Sequence, residues 1–164
     1  MSITFNAAEI FQMAEQIERN GAKFYNRAGA IVSDREAREM LHELADMEKE
    51  HEQIFAEMRK QLADQQRQLM VFDPENEATL YLQAMAGGHV FDIRRDVSEQ
   101  LTGAESTADI VAMALQAEKD SIVFYLGIKK FVPQKAGKEK IDSIIDEEMG
   151  HITVLNRIGG FLPA

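Results

Sequence analysis

Two Glu-x-x-His segments, Glu48-Lys49-Glu50-His51 and Glu148-Met149-Gly150-His151, stand one hundred residues apart in this chain. On a helix, residues three apart are neighbours on one face, so each Glu and its His can reach a single ion. Each segment is preceded, thirty residues upstream, by a lone glutamate: Glu18 before the first and Glu118 before the second. Four carboxylates and two imidazoles form a ligand set suited to iron, manganese or zinc. One Glu-x-x-His arises freely in any acidic helix. Two copies, matched to two lone glutamates by one register, are a much more specific signal.

The elements that must carry these residues are helices with apolar stripes at spacings of three and four. The first stripe reads Phe11, Ala14, Glu18, Gly21, Tyr25, Ala28, and the second Ala37, Leu41, Leu44, Glu48, His51, Phe55, Met58, Leu62. The third reads Val111, Ala114, Glu118, Ser121, Tyr125, Ile128, and the fourth Ile141, Ile144, Glu148, His151, Leu155, Ile158. Each stripe should face the interior, and each places a glutamate near its middle. An unpaired buried ion costs several kcal/mol against a total stability of about 5–15 kcal/mol, so these charges must be neutralised. Protonation or a basic partner could do so, but no stripe offers Lys or Arg at that depth. Two divalent cations would balance four carboxylates, with the His residues bound as neutral imidazoles. Carboxylate-bridged dimetal bundles use this set: one Glu from each of two helices and one Glu-x-x-His from each of the others.

Helix signals place the elements. Asn6 with Glu9 predicts a capping box opening a helix over about 7–31, and Ser33 with Glu36 predicts a second over about 34–66. Ser106 or Thr107 opens a third over about 107–131, closed by Pro133, and a fourth runs over about 135–157 to Gly159-Gly160. The intervening crossover, about 67–106, contains Asp73-Pro74, a short helix near 76–86 and Gly87-Gly88. One long crossover between two short connections is the topology of ferritin-like four-helix bundles. The expectation is a single all-α domain over 1–164 built from two helical hairpins.

The hairpins repeat. A shift of one hundred residues, without a gap, superposes Ile10 on Ile110, Met13 on Met113, Glu18 on Glu118, Phe24 on Phe124 and Tyr25 on Tyr125. It also superposes Asp46, Glu48 and His51 on Asp146, Glu148 and His151. Duplication alone implies architecture; the residue types within it imply chemistry.

Composition narrows the alternatives. Cysteine is absent, which excludes disulfides, thiolate zinc sites and iron–sulfur clusters. The net charge of −10 argues against a nucleic-acid partner, which needs a clustered basic face. No apolar run is long enough to span a bilayer, and the N-terminus lacks the pattern of a secretory signal, so a cytoplasmic protein is expected. The nine methionines suit an adaptable core.

Glu18 with Tyr25, Glu48 through His51, Glu118 with Tyr125, and Glu148 through His151 together resemble the metal-binding helices of the rubrerythrins. The resemblance covers all four helices and implies Glu18, Glu48, His51, Glu118, Glu148 and His151 as ligands of two irons, with manganese or zinc as alternatives. It implies an oxidoreductase reacting with hydrogen peroxide or dioxygen, supplied with electrons by an external donor such as a rubredoxin-like protein. A homodimer is also implied, in which the long crossover could exchange helices between chains. The cysteine-liganded domain with which rubrerythrins commonly end has no counterpart here, and Ser121 stands where many carry an extra carboxylate. The likeness is therefore closer to short rubrerythrin-like ferritin family proteins. Ferroxidation with iron transfer or storage is the alternative activity, and a non-catalytic helical module holding zinc or no metal is a third reading.

Several neighbours admit two readings. Tyr25 and Tyr125 lie two turns beyond the lone glutamates, where their hydroxyls could orient ligand carboxylates or simply pack in the core. Gly21 and Ser121 could leave room for a small oxidant, or permit close helix contact. Glu147 has Met47 as its counterpart, which places it behind the ligands or on the surface. His42 should face solvent, Asp46 and Asp146 should flank the site, and His89 has no assigned role.

Overall fold

The chain is described here by a computed structural model covering residues 6–62, 97–130 and 137–163, together with 77, 80, 81, 84, 132 and 134. Four long helices dominate it: α1 (Ala7–Ile31), α2 (Arg35–Gln61), α3 (Thr107–Ile128) and α4 (Lys138–Ile158). Each places its apolar stripe inward, so Ile10, Phe11, Leu41, Phe55, Ile110, Phe124, Ile141, Ile144 and Leu155 are all buried. Burying each such side chain stabilises the fold by about 1.5–3 kcal/mol. α1 packs along α2 and α3 along α4, and the two hairpins meet through α2 against α4 and α1 against α3. Phe55 joins them, its ring 6.4 Å from Phe11 and 5.2 Å from Tyr125.

The helix ends follow local chemistry, with four adjustments to the sequence reading. At α1 the expected capping box forms: Asn6 Oδ1 accepts from the Glu9 amide at 3.0 Å and Glu9 accepts from the Asn6 amide at 2.8 Å. The cap of α2 is Asp34 rather than Ser33. Its carboxylate accepts from the Ala37 amide at 2.8 Å, which puts Glu36 one position too early to close a box. α2 ends at Gln61 rather than near 66, because Leu62 turns to extended backbone. Ser106 caps α3, boxed with Asp109, and the helix ends at Ile128, three residues before the expected 131, in a turn at Lys129 and Lys130. α4 starts at Lys138 rather than near 135: Gly137 sits at φ +96°, a left-handed conformation through which a right-handed helix cannot run.

Of the crossover, Glu77, Leu80, Tyr81 and Ala84 are helical, where a short helix was expected. Asp73, Pro74, Gly87, Gly88, His89 and Pro133 lie outside the described residues. The Tyr81 hydroxyl donates to the Val123 carbonyl and its ring covers Gly127, where a Cβ would collide with it. A 3-10 turn, Val97–Gln100, packs against α1 and delivers the buried Leu101 to the core. Among the described residues no helix is long and apolar enough to cross a membrane.

Candidate metal centre

The stripes bring all six candidate ligands to one place. Glu18, Glu48, His51, Glu118, Glu148 and His151 are each at most 2% exposed. Their ligand atoms fall into two groups, each mutually within 4.8 Å: Glu18, Glu48, His51 and Glu148 in one, and Glu48, Glu118, Glu148 and His151 in the other. Glu48 and Glu148 belong to both. The two imidazoles stack with centroids 5.5 Å apart and turn Nδ1 toward the carboxylates. His51 Nδ1 lies 3.0 Å from Glu148 and 3.4 Å from Glu18. His151 Nδ1 lies 2.8 Å from Glu148, 3.2 Å from Glu48 and 3.5 Å from Glu118.

Close as they are, these atoms are not aligned for hydrogen bonding. Both Glu148 oxygens, one oxygen each of Glu18, Glu48 and Glu118, and Nδ1 of both His residues lack a hydrogen-bond partner among the described residues. Buried polar atoms are ordinarily paired, and leaving one unpaired costs about 1–3 kcal/mol. Seven such atoms gathered in two overlapping groups at the centre of the bundle form a donor set that could hold cations. The hard carboxylate oxygens and borderline imidazole nitrogens fit iron, manganese or zinc.

Without an ion, protons supply the countercharge. Burial, reinforced by Glu148, Glu18 and Glu118, pushes Glu48 well above the usual carboxylate range. Burial and the neighbouring Glu148 raise Glu118 to about 8. Glu148 moves the other way: burial opposes its charge, but His151 and His51 outweigh burial and hold it low. His51 is raised to about 12 because Glu148 and Glu18 overcome its burial, and His151 is also raised strongly, by Glu118, Glu148 and Glu48. Cations would displace those protons, since ligation requires carboxylate and neutral imidazole.

The supporting residues act across the bundle. The Tyr25 hydroxyl donates to Glu118, and the Tyr125 hydroxyl donates to Glu18. These bonds favour an orienting role over plain packing. Burial and the adjacent carboxylates raise both phenols, so each keeps its proton for donation. At Gly21, an added Cβ would stand 2.6 Å from Glu48 Oε2. The Glu48 carboxylate thus fills the space the missing side chain leaves, and no room for an oxidant remains there. Ser121, its counterpart, is buried, and its hydroxyl has no partner among the described residues. Glu147 stands behind a ligand as expected, its Oε2 3.0 Å from His51 Nε2. It also lines a groove of about 550 Å³ between α2 and α4, beside Glu50, Glu57 and Lys140. His42, Asp46 and Asp146 are exposed and outside the cluster.

One acid that competes with Glu18 on the first helix, Glu15, turns out to be buried away from the cluster. Glu15 is buried and accepts two hydrogen bonds from Arg59, at 2.5 and 3.1 Å. Its separation of forty-four residues from Arg59 gives no local signal, and its counterpart, Leu115, breaks the repeat.

No family model and no curated protein matches the chain. Among solved structures it is similar to a Thermotoga maritima protein provisionally described as a ferritin-like diiron-carboxylate protein, with a TM-score of 0.74 and 24% identity. That likeness covers 94% of this chain and 95% of the other. The chain has the ferritin-like four-helix fold. The likeness does not single out the rubrerythrins among proteins with that fold.

Proposed function

We propose that this chain binds two ions, iron by preference, and is a non-haem di-iron oxidoreductase of rubrerythrin type. The observation that carries the reading is the set of buried ligand atoms left without hydrogen-bond partners at the centre of the bundle. Glu48 and Glu148, common to both groups, would be shared by the two ions, while Glu18 with His51 and Glu118 with His151 would each hold one. A reduced di-iron pair, when bound, supplies two electrons to hydrogen peroxide or dioxygen. For peroxide, two electrons and two protons give two waters, and an external donor restores the electrons. Tyr25 and Tyr125 keep Glu118 and Glu18 in place, each holding its own proton on the phenol oxygen. Phe55, Phe124 and the surrounding aliphatic side chains keep bulk water from the centre.

The test is anaerobic reconstitution with ferrous iron, elemental analysis, and then comparison of oxidation by peroxide and by dioxygen with a reducing donor present. Retained iron and repeated peroxide turnover support the proposal. Single-turnover oxidation, with iron accumulating in a large assembly, would replace it with a ferroxidase or storage role. A reconstituted protein holding neither iron nor manganese would sink the dimetal reading altogether.

A further inference from the structure

We infer that the two metal positions are built unequal: Glu147 pins the one at His51, nothing equivalent among the described residues pins the one at His151, and the His51 position therefore fills first. This rests on the dimetal reading above. The groups facing the ions match through the hundred-residue register, Glu for Glu, His for His and Tyr for Tyr. The register breaks behind the imidazoles. His51 Nε2 meets Glu147 Oε2 at 3.0 Å, reaching from α4 across to α2. The residue that stands to His151 as Glu147 stands to His51 is Met47, whose thioether is a weak acceptor. His151 Nε2 is buried and has no hydrogen-bond partner among the described residues.

The consequence follows from imidazole chemistry. Both rings turn Nδ1 toward the carboxylates, so ligation uses the Nδ1 lone pair and leaves the ring proton on Nε2. An acceptor at Nε2 selects that tautomer, fixes the ring plane and makes Nδ1 more basic. His51 has such an acceptor. His151, with none among the described residues, buries its N–H without such an acceptor to present the same lone pair. Partners of this kind typically change metal affinity about 10–100-fold. Glu147 is a positioning residue for His51, and its side chain is 46% exposed in the α2–α4 groove. Its removal should therefore leave the fold intact.

Two bound cations repel each other, so a two-step isotherm alone would not distinguish the positions; each ring has to be observed. The experiment is nitrogen-15 histidine NMR during anaerobic addition of zinc(II) to the full chain. In the wild type, the His51 resonances should convert with the first equivalent and those of His151 with the second. Glu147→Ala should abolish that order and weaken binding at His51 by about 10–100-fold. Met47→Glu should bring the His151 conversion forward toward the first equivalent. The inference is overturned if the wild-type rings convert together, if His151 converts first, or if Glu147→Ala leaves the order unchanged. Two zinc ions bound without order would defeat this inference alone, whereas a chain binding no zinc would defeat the dimetal reading with it.

Discussion

The two hairpins of this molecule agree at their centres and disagree at their margins. Each contributes a lone Glu, a Tyr two turns along, and a Glu-x-x-His, all buried. Away from these, each hairpin ties its helices together in its own way. In the first, Gly21 lets the Glu48 carboxylate lie against α1, and Gly29 takes the edge of the His42 ring. Arg59 clasps the buried Glu15, and Arg19 meets Glu52 at 2.6 Å. In the second, the same register positions hold Ser121, an ion pair of Lys129 with Asp142, Leu115 and Ile152. α1 and α2 are the more intimately packed pair. Helix pairing tolerates several chemistries, because apolar contact supplies most of it. A polyvalent centre tolerates few, because every buried carboxylate must meet a cation or a proton.

That comparison can be broken most severely at the ligands. If each hairpin supplies one shared and one unshared carboxylate, Glu48→Ala and Glu148→Ala should each lose both ions, while Glu18→Ala and Glu118→Ala should each lose one. Elemental analysis after anaerobic reconstitution decides it. Equal losses for all four would show that the two positions do not share Glu48 and Glu148.

Gly21→Ala probes the difference between hairpins next to the centre. The added methyl must displace the Glu48 carboxylate, so metal affinity should fall by about tenfold or more. The metal-free fold should be unharmed or up to about 1 kcal/mol more stable, since Ala favours helix over Gly. Ser121→Ala, at the matching position, should leave affinity within about twofold, well inside the range such neighbours can command. Metal competition and urea unfolding separate the two effects. A Gly21→Ala chain with native affinity would mean the carboxylate has somewhere else to go.

The margins should respond through stability alone. Arg59→Ala strands the buried Glu15 carboxylate and should cost about 1–3 kcal/mol in chemical denaturation. Glu15→Leu, copying Leu115, should cost less, because Arg59 is one-third exposed and can reach water. The reverse ranking would contradict this account of the pair.

The gentlest probe is pH, applied to the metal-free chain. Glu118 holds its proton up to about 8 when folded, whereas an unfolded Glu releases it near 4.3. The folded state therefore binds more protons in that window, and stability is present below it and lost as pH rises through it. Glu48 acts in the same sense, and the two raised imidazoles add to the loss above about 6.5. Glu148, already ionised there, contributes no slope. Denaturation midpoints should decline from about pH 4.5 to pH 8 without metal, and much less with zinc bound. A flat metal-free profile would show that the cluster carries no such protons.

The centre was legible in the sequence because it violates the pattern around it. A glutamate in the middle of an apolar stripe is conspicuous, and the repeat selected Glu18 and Glu118 over nearby acids such as Glu9 and Asp120. Helix identity was legible for the same reason of periodicity. Ends were less so: Ser33 and Asp34 are both competent caps, and only the backbone path decides that Asp34 reaches the Ala37 amide. The left-handed turn at Gly137 likewise fixes the start of α4, yet any glycine permits such a turn and few require it. Contacts between helices distant in sequence were invisible. Nothing in spacing says that Tyr25 bonds Glu118 rather than Glu18, or that Glu147 finds His51.

Those tyrosine bonds are reciprocal: each half of the chain holds the other half's lone carboxylate. Such exchange is the signature of an isologous contact, in which one surface meets its own copy about a twofold axis. A free peptide with only one half's Glu, Tyr and Glu-x-x-His could reproduce both tyrosine–carboxylate bonds by pairing with itself. Beyond the packing that Tyr81 and Leu101 add, the covalent crossover then raises the local concentration of two partners already made for each other.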